Sequence, residues 1–170
     1  LMASIGVLIG GLLILKGFPT PNLLLAALIA FMITGAGNAI NDYVDVEADK
    51  INRPKRPIPS GRVSKRSCLI FSFLMFVIPI LIAGFINWLV FLIAVVNSIL
   101  LVLYSFSFQN KLLIGNIIIS YLVASTFLFG GAALGNILLP ALLAFLAGFA
   151  NLSREIVKDL EDIEGDRASL

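Results

Sequence analysis

Residues 23–49 read LLLAALIAFMITGAGNAINDYVDVEAD, and the passage from an apolar run into acid decides the fold. Leu23 to Ile40 contains no charge over eighteen residues. As a helix this run rises about 27 Å, close to the hydrocarbon thickness of a bilayer. Asn38, Asp42, Asp45 and Asp49 then follow at spacings of four, three and four. At 100° per residue those four lie within a sector of about 60°, with Asn41 at its edge and Glu47 pointing away. The stretch therefore predicts a transmembrane helix that ends in a carboxylate ladder.

The same spacing recurs at Glu155, Asp159, Asp162 and Asp166, with Lys158 flanking the face and Glu164 pointing away. All ten acids of the chain fall into these two clusters, and the 105 residues between Asp49 and Glu155 contain none. Asp42 and Asp159 are 117 residues apart, a separation that four helices per half would give and that suggests an internal duplication. A solvated helix end with ordinary i,i+4 pairs would explain one such ladder. Two matching ladders beside hydrocarbon ask for a counter-charge or a function, because like charges on one helix face destabilise it.

Composition points the same way. The chain is 59% hydrophobic and 13% charged, against about 25% charged residues in a soluble domain. Six apolar segments predict six spans, at 1–15, 23–40, 68–86, 88–108, 114–134 and 137–157. The expected class is all-α: a polytopic transmembrane bundle, since backbone groups in lipid must be satisfied within the segment. Eleven of the twelve basic residues fall on one side if all six spans form, Lys16 being the exception. By the positive-inside rule that side, with both ladders, is cytoplasmic. No nucleic-acid partner is expected, and the oligomeric state is open.

The chain has no histidine, the usual neutral-pH base and transition-metal ligand. Its one cysteine, Cys68, reads as a buried thiol. Carboxylates must then do any acid–base or metal work, and their oxygens suit magnesium, calcium or manganese. The first ladder lacks the alternate ligands and the glycine of an EF-hand loop. Two ladders with cations between them make a site for a diphosphate. The loop after the first ladder, residues 52–62 (NRPKRPIPSGR), is stiffened by three prolines and offers Arg53, Lys55, Arg56 and Arg62 to phosphate oxygens. One or two of these are expected as ligands and the rest as the positive anchor.

These residues resemble the UbiA-type intramembrane prenyltransferases. Residues 41–49 match that family's NDxxDxxxD motif, and residues 53–61 its RPxRPIPSG stretch. Residues 158–166 resemble its KDxxDxxxD motif, and Tyr104-Ser105 and Gly115-Asn116 resemble its YS and GN pairs. The resemblance implies nine helices around a central cavity with a cytoplasmic cap. Residues 1–170 are then expected to be a single membrane domain incomplete at both ends.

It also implies the site. Asp42, Asp45, Asp49, Asp159 and Asp162 would be catalytic. With Asn41 and Asp166, they would hold Mg2+. Asn38, Asn41, Arg53, Lys111 and Lys158 would bind the diphosphate, Lys111 standing in because Gln109 occupies a position often basic in the family. Tyr121, Phe127 and Phe129 are candidates to line the prenyl tunnel. The wording of residues 51–64 and 154–169 is most similar to the archaeal ether-lipid branch, which implies geranylgeranyl diphosphate as donor and geranylgeranylglyceryl phosphate, a lipid-like acceptor. An aromatic or tetrapyrrole acceptor of the quinone or chlorophyll pathways is the alternative. A cation-coupled transporter would place its acids near the midplane on broken helices, whereas these lie at one face. A CDP-alcohol phosphotransferase needs an Asp-Gly pair, which the chain lacks.

Overall fold

The computed structural model describes residues 1–168 apart from 16 and 110, with side chains as far as Glu161 except that of 112. Seven α-helices follow in order: α1 (Met2–Leu12), α2 (Pro21–Val44), α3 (Val46–Asn52), α4 (Lys65–Ile86), α5 (Trp88–Leu103), α6 (Leu112–Ala133) and α7 (Leu138–Ala168). A π-helical turn, Tyr104–Phe108, extends α5. The described residues include no strand.

Five helices are long and apolar enough to cross a membrane: α2, α4, α5 with its π turn, α6 and α7. This is the architecture of a multi-pass membrane protein. The first expected span contains α1, a shorter apolar helix of 11 residues, about 16 Å long. Beyond Leu12 the chain turns, and Gly17, Pro19 and Pro21 break any helical continuation.

Local chemistry places the helix starts. Thr20 caps α2 by accepting from the Leu23 N–H, with Pro21 at the first helical position. Ser64 accepts from the Ser67 N–H at 3.0 Å. Asn87 both caps α5, accepting from the Val90 N–H at 2.9 Å, and donates to the Ala132 carbonyl at 2.8 Å. That one side chain ties the α4–α5 corner to the end of α6.

The central helix is α2. Leu23, Ala26, Ala27, Ile29, Ile33, Ala36 and Ile40 are buried along it, against α1, α4, α5 and α6. The outer face of α7 is largely apolar and exposed, as a lipid-facing helix is. Between α1 and α6 the backbones come very close. Gly6 and Gly10, four apart on α1, pack on Thr126 and the Phe127 carbonyl, and Gly130 on α6 packs on the Val7 carbonyl. Small residues permit such approach where no hydrophobic force drives helices together in lipid.

Candidate active site at one end of the bundle

The helices alternate in direction, so the C-terminal ends of α2 and α7 lie at the same end of the bundle, each with its acids. The first ladder is not one straight helix, as its spacing predicts. It breaks at Asp45 (φ −81°, ψ 6°), where α2 stops and α3 begins. The amides still run on, Asp45 N–H to Asn41 O at 2.9 Å and Asp49 N–H to Asp45 O at 2.8 Å, so the acids stay on one side of a shallow bend.

Each carboxylate of this ladder is held by protein donors. Arg56 Nη1 donates to Asp42 Oδ1 at 2.8 Å and to Asp49 Oδ2 at 2.6 Å. Asp49 is buried, with 6% of its surface exposed, so this pair is shielded from solvent screening at one end. The Asp49 bond raises the Arg56 guanidinium above its usual range against the opposing effect of burial, with Asp42 and Asp45 adding to it. Asp45 Oδ2 accepts from Asn41 Nδ2 at 2.8 Å and from Gln109 Nε2 at 2.9 Å. Glu47 points away, as the spacing predicts, and pairs at the surface with Lys50 at 2.9 Å.

The proline-stiffened loop sorts its four basic residues. Arg62 Nη2 donates to the Lys55 carbonyl at 2.6 Å and Nε to Ser60 Oγ at 3.0 Å, closing the loop on itself. Gly61 takes φ +75°, which only glycine adopts freely. Arg56 is thereby turned inward, while Arg53 and Lys55 are exposed. Arg53, the residue picked out from the sequence, bonds the ladder through its backbone N–H, 2.8 Å from the Asp49 carbonyl, whereas the Arg56 side chain reaches two of its carboxylates.

On the second ladder, Asp159 Oδ2 accepts from Asn116 Nδ2 at 2.6 Å, and Glu155 pairs with Arg154 at 3.2 Å. Lys158 is exposed. Asp162 and Asp166 have side chains outside the described residues.

The segment 104–116 links the two ladders. In the π turn the Gln109 N–H reaches the Tyr104 carbonyl at 2.9 Å, and the wider turn brings the Gln109 side chain to Asp45. Gly115 fits beneath it: an added Cβ would lie 2.9 Å from the Phe108 carbonyl. Asn116, the next residue, then faces Asp159. Lys111, expected at the diphosphate, is exposed with its ammonium 5.3 Å from the Phe108 ring centroid. Amides, not cations, thus connect segment 104–116 to the carboxylates. Gln109 and Asn116 are absent from the residues assigned from sequence. Both are neutral, and only the π turn reveals the reach of Gln109.

Below the ladders an apolar cavity of about 450 Å³ opens between α1, α2, α5 and α6. Phe127 and Phe129 line it, whereas Tyr121 lines a separate apolar groove of about 370 Å³ between α6 and α7. Asn38, the first rung of the ladder, is part of the cavity wall, with Thr34 one turn deeper. A polar head held at the ladder would have an apolar space directly behind it.

The donor set suits a hard divalent cation, being carboxylate oxygens. Among the described residues no three acids converge on one point. Asp42 and Asp49 do converge on a single cationic nitrogen, Arg56 Nη1, which stands in for an ion between them. The chemistry of these carboxylates fits a hard divalent cation such as Mg2+.

The model of the UbiA prenyltransferase family matches residues 3–169. The chain belongs to that family. It is similar to the digeranylgeranylglyceryl phosphate synthase of Methanococcus aeolicus, 46% identical over 99% of this chain and 61% of the relative. The enzyme of the same name from Methanothrix thermoacetophila is 49% identical over 96% of the chain and 60% of the relative. A solved structure of a digeranylgeranylglyceryl phosphate synthase superposes with a TM-score of 0.91 at 39% identity, covering 98% of this chain and 60% of that one. A UbiA homologue from Aeropyrum pernix K1 shares the fold, with a TM-score of 0.72 at 21% identity over 89% of this chain and 57% of that one. The chain thus spans about 60% of the length of the curated relatives it matches.

Proposed function

We propose that the protein transfers a geranylgeranyl group from geranylgeranyl diphosphate to geranylgeranylglyceryl phosphate, in the synthesis of archaeal membrane ether lipids. The observation that carries this reading is the double placement of Asn38, which belongs both to the acidic ladder and to the wall of the apolar cavity. A substrate with a diphosphate head and a long apolar tail matches that arrangement. The acceptor is taken from the named relatives, 46% and 49% identical to this chain.

Asp42, Asp45, Asp49, Asp159, Asp162 and Asp166 would hold Mg2+, with Asn41 orienting Asp45. When bound, the metal supplies positive charge to the departing diphosphate. Asn38, Asn41, Arg53, Lys111 and Lys158 would bind the diphosphate, joined by Arg56. The cavity walls hold the tail and keep water from the reacting carbon. The bond from that carbon to the diphosphate oxygen breaks, and a bond to the acceptor's hydroxyl oxygen forms. The hydroxyl proton passes to a carboxylate, since the chain has no histidine. The site faces the cytoplasm, on the side of the basic loops.

The direct test incubates the full-length protein with geranylgeranyl diphosphate and a panel of glyceryl phosphate, quinone-precursor and tetrapyrrole acceptors. Products are read by mass. Magnesium-dependent transfer to geranylgeranylglyceryl phosphate, lost in Asp45→Ala and Asp162→Ala, is expected. Full activity in both variants refutes the site, and transfer to a different acceptor class refutes the substrate.

A further inference from the structure

We infer that Arg56 is the resident counterion of the first ladder, occupying the cation position between Asp42 and Asp49 and yielding it when a divalent cation loads. This rests on the metal-dependent reading above and adds a positioning residue to it. An arginine that merely pairs with a carboxylate usually offers two nitrogens to its two oxygens. Here one nitrogen serves two carboxylates from different helices, Asp42 on α2 and Asp49 on α3, at 2.8 and 2.6 Å. That is the bridging role of an ion. The loop carrying Arg56 is closed by the Arg62–Lys55 and Val63–Pro57 bonds, so the side chain can swing while its backbone stays put.

The energetics follow from what Arg56 gains on leaving. A bare cation must expel the guanidinium from a partly buried pair, 27% exposed on the arginine side and 9% on that of Asp49, with no new anion to receive it. A cation that arrives with a diphosphate supplies that anion. Arg56 therefore weakens binding of the cation alone and couples its loading to that of the diphosphate, and such coupling is reciprocal.

The test uses the full-length protein in detergent, without prenyl substrate. Mn2+ affinity is measured by electron paramagnetic resonance in wild type, Arg56→Gln and Arg56→Lys. Arg56→Gln should bind Mn2+ on the order of tenfold more tightly than wild type, within the usual range of coupled binding. Arg56→Lys, which keeps the charge, should fall between them. On the unmodified sequence, Mn2+ should increase phenylglyoxal labelling of Arg56, read by peptide mass, because the guanidinium is released. Equal or weaker Mn2+ binding by Arg56→Gln overturns the inference, as does labelling insensitive to Mn2+. If Arg56→Gln does not fold, the labelling result decides alone. Absence of Mn2+ binding in every form would remove the metal-dependent reading and this inference together, whereas binding without the Arg56 effect removes only the inference.

Discussion

Gly130→Ala tests the packing on which the cavity depends. A Cβ at Gly130 would collide with the Val7 carbonyl oxygen, and would lie 2.8 Å from Gly11 N and 2.9 Å from Val7 C. All three are backbone atoms, so no side chain can rotate away and α1 itself must retreat by roughly an ångström, a gap that forfeits much of the local dispersion. Overpacking typically costs about 1–3 kcal/mol, and the rigid partner argues for the upper half of that range. Alanine's better helix propensity returns about 1 kcal/mol. The net loss is about 1–2 kcal/mol, a fall in Tm of about 2–8 °C for a chain of this size. Thermal unfolding of the full-length protein in detergent, followed by circular dichroism, reads it. Gly35→Ala is the paired control: its added Cβ meets only Met75 Cε at 4.0 Å, so it should hold or raise Tm. Because Gly6, Val7 and Ile9 of α1 line the cavity, Gly130→Ala should also lower prenyl transfer. A Gly130→Ala protein that melts at or above wild type would refute the account of the α1–α6 contact.

Other outcomes follow from the site. Asn116→Leu removes the 2.6 Å donor to Asp159 and should weaken metal affinity about 10–100-fold, measured as a rise in the magnesium concentration for half-maximal rate. Ala30→Phe fills part of the cavity, and should raise the ratio of farnesyl to geranylgeranyl diphosphate used by about tenfold or more in a competition assay. Glu47→Ala, at an exposed position paired only with Lys50 among the described residues, should leave turnover unchanged; a large loss would show that the ladder's outward acid matters.

Much of this was legible in one dimension because it depends on period and run length. The apolar runs predict α2, α4, α5, α6 and α7, and the four-three-four spacing predicts which acids share a face and that Glu47 does not. Those properties are local: a helix fixes direction every 3.6 residues whatever surrounds it. The end of α1 was less legible. Its apolar residues extend to Leu15, but the helix stops at Leu12.

Partner choice was not local. Four basic residues in the loop looked alike, and only the closed loop, with Gly61 at φ +75° and Arg62 bonded to Lys55, turns Arg56 toward Asp42 and Asp49. Gln109 carries no charge to mark it, and its reach to Asp45 comes from a π turn that no residue type announces. The sequence by itself determined a helical membrane bundle with two acidic ladders at one end and a family to which they belong. Tertiary structure alone decided which donors neutralise those acids and where the apolar cavity meets them. Apart from the local Asn41–Asp45 bond, such contacts join residues 7 to 64 positions apart, and their geometry exists only once the chain has packed.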